Sequence, residues 1–397
     1  MRHNPNSQRP YDVALFGATG FVGRLTARYL SAHAPHGCRL ALAGRDPKKL
    51  EVLRADLAES FPDRAADLAI VVADAGDPAT MRALAQSTRV VASTVGPYGW
   101  YGEELVAACA EAGTDYADLT GEPEFVDRMF VRHAGRAQET GARIVHSCGF
   151  DSLPHDLGVF FTVRQLPKDV PLSVDGFVRT RAGISGGTFA SALSVIGRGL
   201  QATAAARERR RHEPGLAGRR VRIAPGAPRF SRETGAWALP LPTIDPIVVG
   251  RSAAALERYG PDFRYRHYAS VQTLPMALAA PIGAAALVAA AQIPPVRSWL
   301  TSRYAPGRGP NEQQRGRSWF RVRFVGAGGG QQAFTEVSGG DPGYDETAKM
   351  LGEAALCLAL DHLPETSGQV TPAAAMGDAL IDRLRTAGIG FRVCRVH

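Results

Sequence analysis

The chain has 397 residues, 45% of them hydrophobic and 21% charged. This composition is ordinary for a globular protein, and the length predicts two domains. The net charge of +8 suits anionic ligands or partners, and residues 1–10 lack a signal-peptide core. The five cysteines form no CxxC pair, so they indicate neither a disulfide framework nor a zinc site. We therefore expect a cytoplasmic protein with free buried thiols.

The first motif is a glycine-rich turn, GATGFVG at residues 17–23. It follows an apolar run at 13–16 and precedes an apolar-periodic segment at 21–30, the order of a strand, a turn and a helix. Such glycines permit a tight bend, close approach of a pyrophosphate and close packing of the helix. The motif predicts a dinucleotide cradle, with a plain strand-to-helix turn as the alternative. The residues expected at the cofactor are Gly17, Thr19, Gly20, Phe21, Val22 and Gly23.

The tip of the second strand indicates which dinucleotide binds. A carboxylate there usually binds the ribose 2′-OH of NAD, but here Arg45 directly follows the strand and Gly44. An arginine can hold a 2′-phosphate through its planar set of donors, and Lys48 and Lys49 add positive charge. We expect NADPH as the cofactor. Asp46 leaves NADH open, unless it caps the next helix.

Short apolar strands and amphipathic helices alternate up to about residue 147. This pattern predicts an α/β fold, with a Rossmann-type doubly wound parallel sheet in the N-terminal domain. Further strands are predicted at 68–73, 89–93, 114–119 and 143–147, and helices at 48–60, 78–86, 103–112 and 123–140. Ligands bind at the carboxyl ends of such strands, so the loops after strands three, four and five form the candidate site.

Two of these loops are expected to contact the cofactor. Asp74, after strand three, could accept a hydrogen bond from the adenine amino group. The glycine- and aromatic-rich loop after strand four is expected to run beneath the ribose and nicotinamide. Its cofactor-binding candidates are Thr94, Gly96 and Pro97.

The catalytic candidates are Tyr98, Glu122 and Asp151. The Tyr98 hydroxyl could polarise a substrate carbonyl or donate a proton. Glu122 could act as an acid, or could complement a helix dipole. Asp151 belongs to CGFDSLPHDLG at 148–158, the expected crossing between domains, where Asp151 or Ser152 could instead cap a helix.

Five motifs carry a family resemblance: GATGFVG, AGRDPKKL, TVGPYGWYG, YADLTGE and GFDSLPHDLG. Together they resemble the saccharopine dehydrogenase-like oxidoreductases and, within them, the trans-acting enoyl reductase branch. The stretches at 339–350 and 371–377 extend the similarity over nearly the full length. The resemblance implies an NADP-binding Rossmann domain at 1–150, an α+β substrate and dimerisation domain at 151–340, and a helical segment at 341–397 that packs back toward the first domain.

The resemblance also implies an activity and partners. The branch reduces an enoyl double bond on a polyketide or lipid thioester, in trans for a synthase that lacks its own reductase. An acyl carrier or polyketide synthase is then the expected partner, and a homodimer the expected assembly.

Two later segments allow two interpretations each. The arginines between 207 and 222 form either a solvated helix end and loop or a docking patch for an acidic carrier protein. No nucleic-acid-binding motif accompanies them. These arginines are Arg207, Arg209, Arg210, Arg211, Arg219, Arg220 and Arg222.

The alanine-rich, uncharged segment 274–293 predicts a buried or cleft-lining helix, with a membrane-contacting hairpin as the alternative.

The leading hypothesis is an NADPH-dependent enoyl-thioester reductase. A saccharopine-type imine or amino-acid dehydrogenase would need cationic clamps for carboxylates, which Arg179 and Arg181 could supply. A nucleotide-binding, lipid-associated protein without turnover is the third hypothesis. The aromatic loop after strand four and the alanine-rich segment favour an apolar substrate.

Overall fold

The computed structural model describes residues 9–65, 68–150, 152–182, 199–216, 218–291 and 309–397. The strands in chain order are β1 (Tyr11–Phe16), β2 (Leu40–Gly44), β3 (Leu68–Val72), β4 (Thr88–Ser93), β5 (Asp115–Asp118), β6 (Arg143–Val145), β7 (Leu172–Arg181), β8 (Arg220–Ala224), β9 (Arg229–Ser231), β10 (Ala236–Pro240), β11 (Asp262–Val271), β12 (Trp319–Gly328), β13 (Gln331–Gly339), β14 (Gly368–Val370) and β15 (Gly390–Val396). The helices are α1 (Phe21–His33), α2 (Pro47–Ser60), α3 (Pro62–Ala65), α4 (Pro78–Ser87), α5 (Tyr98–Tyr101), α6 (Glu103–Ala112), α7 (Pro123–Thr140), α8 (Leu153–Val163), α9 (Gly199–His212), α10 (Asp245–Ala255), α11 (Leu274–Ala291), α12 (Glu312–Arg315), α13 (Asp345–Leu360), α14 (Pro372–Ala375) and α15 (Gly377–Thr386).

The chain divides into two compact units. Unit 1 comprises Met1–Phe150, Gln201–His212 and Tyr344–Arg383, and unit 2 comprises Asp151–Leu200, Glu213–Gly343 and Leu384–His397.

Unit 1 is built on a parallel sheet with the strand order β3-β2-β1-β4-β5-β6-β14. Neighbouring strands pair in parallel. β2 is buried along its whole length, as expected of a strand covered on both faces. The predicted doubly wound sheet is confirmed. Its order reverses between β1 and β4, which is where ligands bind in such folds.

Two helices of unit 1 begin at carboxylate caps. Asp46 accepts a hydrogen bond from the amide of Lys49 at 3.2 Å and Asp77 accepts one from Ala79 at 2.9 Å. Each cap precedes a proline, whose missing amide costs nothing in a first turn. Asp46 is therefore a helix cap, the second of the two roles that the sequence allowed.

The C-terminal part is shared between the units, with Tyr344–Arg383 in unit 1 and Leu384–His397 in unit 2. The Tyr29 hydroxyl on α1 donates to Glu353 on α13 at 2.6 Å, and a Cβ on Gly352 would lie 2.7 Å from the Tyr29 ring. β14 extends the parallel sheet beside β6. The last strand, β15, instead pairs with β13 in unit 2. The positions of β14 and β15 are therefore set by pairing with strands that are distant in the sequence.

The arginine-rich segment is not uniformly solvated, which corrects the interpretation as a solvated helix end and loop; a docking patch on its exposed arginines stays a prediction. Arg209 is buried in unit 1, where its guanidinium lies 3.9 Å over the Phe130 ring, donates to Gln369 at 2.8 Å and lies 3.5 Å from Asp127. Arg219, in unit 2, donates to four backbone carbonyls around the end of α10. The arginines of α9 that remain exposed are Arg207, Arg210 and Arg211.

Unit 2 is built on a mixed sheet in the order β15-β13-β12-β7-β11-β10-β9, with β8 beside β11. Along β12, Phe320, Val322 and Phe324 are buried. These side chains face α8, since a Cβ on Gly158 would lie 2.3 Å from the Phe324 ring. β12 and β13 pair as an antiparallel hairpin.

The alanine-rich segment forms one helix, α11, within its described residues. The expectation of burial is wrong for its first half, because Met276, Leu278 and Ile282 are 60%, 63% and 71% exposed, and a cleft-lining role stays a prediction. The hairpin is also wrong, because the helix runs on through Pro281. Within the described residues, no helix is long and apolar enough to cross a membrane. Peripheral contact with a lipid surface stays a prediction.

The cysteines are free thiols. Burial is confirmed for Cys38, Cys109, Cys148 and Cys357. It is wrong for Cys394, which is exposed because it lies on β15 at the edge of the sheet.

Candidate functional site

The turn between β1 and α1 has the shape of a phosphate cradle. Gly17 has a φ of +85°, and a Cβ there would lie 2.7 Å from the Thr94 hydroxyl. Gly23 allows the helix to approach the turn, since its Cβ would lie 2.1 Å from the Gly17 carbonyl oxygen. Gly20 is exposed, and its Cβ would meet only that oxygen, at 3.3 Å. A ligand can therefore approach the backbone at Gly20.

The positive end of α1 faces this turn. Gly20 is the N-cap and provides no side-chain hydrogen bond, and the first helical turn holds no acidic residue. The helix dipole is therefore not neutralised by a side chain at its N-terminus. This arrangement fits the pyrophosphate of a dinucleotide. Thr19, Phe21 and Val22 complete the turn and the start of the helix; the Phe21 ring packs edge-on against Tyr344 at 4.9 Å.

Thr94 holds the turn from the neighbouring strand. Its amide donates to the Phe16 carbonyl at 2.9 Å, and its hydroxyl donates to the Phe16 and Gly17 carbonyls at 3.2 and 3.1 Å. Thr94 directly follows β4 and so lies at the point where the strand order reverses. Gly96 and Pro97 follow, joined by a cis peptide bond. The loop after β4 therefore borders the cradle.

Arg45 lies beside the cradle at the tip of β2. The amides of Gly17 and Ala18 donate to the Ala43 carbonyl at 2.9 and 3.2 Å, which brings the end of β2 against the glycine turn. Arg45 is exposed there. Asp74, after β3, is also exposed, and its carboxylate accepts from the Gly76 amide at 2.9 Å. A cationic side chain therefore lies at the tip of β2, beside the glycine turn.

Tyr98 and Glu122 are both buried and are joined through the backbone. The Glu122 carboxylate accepts from the amides of Tyr98 and Gly99 at 2.9 and 3.0 Å. It therefore complements the start of α5, and makes no side-chain cap on α7. The Tyr98 hydroxyl donates to the Ser93 carbonyl at 2.9 Å and accepts from the Leu119 amide at 3.1 Å. Both side chains fix the loop after β4 against the loop after β5.

Next to this pair lies a buried aspartate–histidine pair that includes a residue the sequence reasoning missed. Asp118, at the end of β5, accepts from the amides of Thr120 and Ser147 at 3.0 Å each, and its carboxylate lies 2.7 Å from Nδ1 of His146. Asp118 is fully buried and His146 is 5% exposed. The available signal was a histidine that directly follows a strand of the parallel sheet.

Unit 2 contains a second buried network, which sequence reasoning also missed. His155 Nδ1 lies 2.9 Å from one Asp245 oxygen, and His267 Nε2 lies 3.6 Å from the other. Tyr265 shares a hydrogen bond with His267 Nδ1 at 2.8 Å. The two imidazoles, the carboxylate and the tyrosine are nearly inaccessible to solvent. Its one sequence signal was His155 in the GFDSLPHDLG motif.

Burial and charge set the protonation of this network. The pKa of His267 is lowered to about 4, mainly because the ring is buried; Asp245 opposes this shift, and the neighbouring His155 adds to it. Burial acts to raise the pKa of Asp245, but the net pKa is lowered because His155, His267 and Thr243 stabilise the carboxylate. His267 is therefore neutral, and Asp245 charged, at neutral pH.

We expect the free energy of unfolding to fall as the pH drops from about 6.5 towards about 4. Unfolded His267 takes up a proton near its ordinary pKa of about 6.5, whereas the folded state resists protonation until about 4. The stabilisation is complete above pH 6.5 and is lost through that window. This contribution of His267 to the free energy of unfolding is about 3 kcal/mol, since each unit of pKa shift corresponds to about 1.36 kcal/mol. Urea unfolding at several pH values measures it.

His267→Gln isolates this contribution, and His36→Gln at an exposed position is the matched control. The difference in stability between the wild type and His267→Gln should shrink on acidification, while His36→Gln follows the wild type. Parallel curves for the wild type and His267→Gln would contradict the assignment.

The third catalytic candidate, Asp151, lies outside the described residues. Its neighbour Ser152 is the N-cap of α8 but makes no side-chain cap hydrogen bond.

The glycine turn lies within a domain that matches a known family. Residues 13–145 match the saccharopine dehydrogenase NADP binding domain. A Mycobacterium ulcerans protein named trans-acting enoyl reductase is 37% identical over 99% of this chain and 100% of its own. A Mycobacterium tuberculosis protein, also named as a trans-acting enoyl reductase, is 39% identical over 98% of each chain.

The chain belongs to the trans-acting enoyl reductase family. It is an NADP-dependent oxidoreductase, which confirms the expected cofactor. A solved structure, apo saccharopine dehydrogenase (L-Glu forming) from Saccharomyces cerevisiae, has a TM-score of 0.54 at 12% identity and covers 96% of this chain and 99% of its own. That likeness confirms the α/β fold predicted for a saccharopine dehydrogenase-like chain.

Proposed function

We propose that the chain reduces the carbon–carbon double bond of an enoyl thioester carried by a separate synthase. The observation that carries this proposal is identity of 36 to 39% to proteins named trans-acting enoyl reductase, over at least 98% of both chains. A cradle that fits a dinucleotide supports it. The name of those relatives implies a polyketide synthase or carrier as partner.

The cofactor would be held by the residues around the end of β1. The turn and the start of α1 would bind the pyrophosphate, Arg45 the 2′-phosphate and Asp74 the adenine. The loop after β4 would border the ribose and nicotinamide. The proposed cofactor residues are Gly17, Thr19, Gly20, Phe21, Val22, Gly23, Arg45, Asp74, Thr94, Gly96 and Pro97.

When bound, NADPH supplies a hydride for the β-carbon. The chain has to stabilise the negative charge that develops on the thioester oxygen and to provide a proton for the α-carbon. The hydrogen bonds of Tyr98 and Glu122 favour a positioning role, because both side chains already hold backbone groups. Asp151 stays a candidate for the acid.

We expect Tyr98→Phe to lower kcat about tenfold while leaving the Kd of NADPH within about twofold. Removing the hydroxyl takes away the hydrogen-bond partner of the Leu119 amide and of the Ser93 carbonyl. Leaving such a buried polar group unsatisfied costs about 1–3 kcal/mol of stability, and the loop is loosened as a result. A positioning role leaves the pH profile of kcat unchanged. Loss of one limb of that profile would instead make Tyr98 the acid, and unchanged kcat would remove Tyr98 from the reaction.

The proposed activity is tested by NADPH oxidation with a panel of 2-enoyl thioesters. Saccharopine-type substrates and NADH are assayed in parallel. Turnover of enoyl thioesters with NADPH is expected. Turnover of the amino-acid substrates alone would overturn the proposal, and NADPH binding without turnover of any acceptor would favour a non-catalytic role.

A further inference from the structure

One face of the sheet in unit 2 carries arginines and aromatic rings. Because Phe320, Val322 and Phe324 face α8, the alternate residues of β12 point to the opposite face. Cross-strand partners share a face, so the pairing assigns residues of β7, β13 and β15 to it. We call this the arginine face. Its arginines on these four strands are Arg179, Arg181, Arg321, Arg323, Arg392 and Arg395.

Several of these guanidinium groups stack on aromatic rings. Arg179 and Arg321 lie 5.4 and 6.0 Å from the centroid of the Trp319 ring. Arg395 lies 4.3 Å from that of Phe334. Stacking orders a long side chain before a partner arrives and leaves its planar donors for an anion. Arg323, Val325, Phe334 and Arg395 also contribute to the lining of one surface groove.

The carboxylates on this face do not neutralise it. Glu336 is already held by three arginines, with Arg321 and Arg323 at 3.2 and 3.0 Å and Arg392 at 2.5 Å. The next carboxylate, Asp175 on β7, is held by arginines of β9 and β11 at 2.8 and 2.6 Å. Among the described residues, no carboxylate pairs with Arg179, Arg181 or Arg395. The face therefore keeps an excess of positive charge.

This excess charge is accessible. The side chains of Arg321, Arg323 and Arg392 are 41%, 44% and 64% exposed. Arg181 and Arg395 are exposed as well. A second copy related by a two-fold axis would set arginines against arginines, which opposes self-association through this face. An acidic surface would complement it.

We propose that the arginine face docks the acidic acyl carrier protein that presents the enoyl thioester. This inference rests on the proposed function, and it moves the docking site away from the segment 207–222 that the sequence suggested. Complementary charge raises the association rate and orients the carrier before its acyl chain is delivered. Arginine suits this task because it binds carboxylates and phosphates through paired donors.

Arg181→Glu combined with Arg395→Glu tests the proposal, because neither residue holds Glu336 or Asp175. We expect at least a tenfold weaker Kd for a fluorescein-labelled holo acyl carrier protein, measured by anisotropy in low salt. We expect a similar loss in kcat/KM for a crotonyl-loaded carrier. The value for the N-acetylcysteamine thioester of crotonate should stay within twofold of wild type, because that substrate needs no docking.

The matched control reverses two charges on α9, Arg207→Glu with Arg210→Glu. The assignment would be overturned if only this control lost carrier binding, or if both double variants bound the carrier as the wild type does. Light scattering monitors assembly: if the Arg181/Arg395 variant changes a dimer to a monomer, a second copy occupies the face and the proposal is wrong. Carrier binding is measured without turnover, so an inactive wild type would refute the proposed reaction and not this surface.

Discussion

Gly23→Ala is expected to weaken NADPH binding tenfold or more and to lower the stability of unit 1. The new Cβ would lie 2.1 Å from the Gly17 carbonyl oxygen and 2.9 Å from its carbon, both backbone atoms that cannot rotate away. Either α1 moves outward or the turn deforms, and both changes displace the helix N-terminus from the cradle. Overpacking of this kind costs about 1–3 kcal/mol. Fluorescence titration with NADPH and thermal unfolding measure the two effects.

Gly135→Ala is the matched control for this substitution. Gly135 lies within α7, and nothing stands within 4 Å of where its Cβ would be. Alanine is favoured over glycine inside a helix by about 0.5–1 kcal/mol, so this variant should be slightly more stable and bind NADPH normally. Normal NADPH affinity in Gly23→Ala would show that the turn is not the cofactor cradle.

Arg45→Gln is expected to weaken NADPH binding about 10- to 100-fold and to leave NADH binding nearly unchanged. Arg45 is exposed at the tip of β2, beside the glycine turn. Hydrogen bonds to a charged group contribute about 1.5–3 kcal/mol, and each 1.4 kcal/mol is a factor of ten. NADH lacks the 2′-phosphate and so loses nothing. Titration of both cofactors against wild type and variant measures the difference.

Lys48→Gln provides the control, since it removes one nearby positive charge in the first turn of α2. A general electrostatic effect would weaken NADPH binding equally in the two variants, and the effect would diminish in high salt. Equal losses for NADPH and NADH in Arg45→Gln would argue against contact with the 2′-phosphate.

The helices of the first unit show which boundaries sequence can predict. The predicted bounds of α6 and α7, 103–112 and 123–140, agree with the structure. Gly113 and Gly141 end them in the left-handed region, at φ +69° and +81°. Proline begins α7. These signals act within one turn of chain, so they can be read locally.

Segments whose position depends on distant partners were predicted less well. β14 has three residues and pairs with β6 far back in the chain, and β15 crosses to unit 2. The apolar composition of α11 predicted burial, yet Ile282 is 71% exposed. Composition indicates what a helix can bury and does not say whether a surface is present to cover it.

The candidate sites divide in the same way. The glycine turn was predicted because strand, turn and helix are consecutive in the chain, and the contact of Arg45 with the cofactor stays a prediction. That Glu122 complements α5 could not be predicted, since its carboxylate reaches amides on another loop. The His155–Asp245–His267 network joins a helix start, another helix and a strand.

The sequence by itself determined the parallel fold of the first unit, its glycine turn and the use of NADPH. Hydrophobic periodicity, glycine conformation and the charge after β2 act over a few residues, and that is why they suffice. Only the tertiary structure decided which backbone groups form hydrogen bonds with Tyr98 and Glu122. It also decided that Arg209 is buried and that Arg395 is exposed. Those outcomes depend on sheet pairing and packing between distant segments, which no local pattern contains.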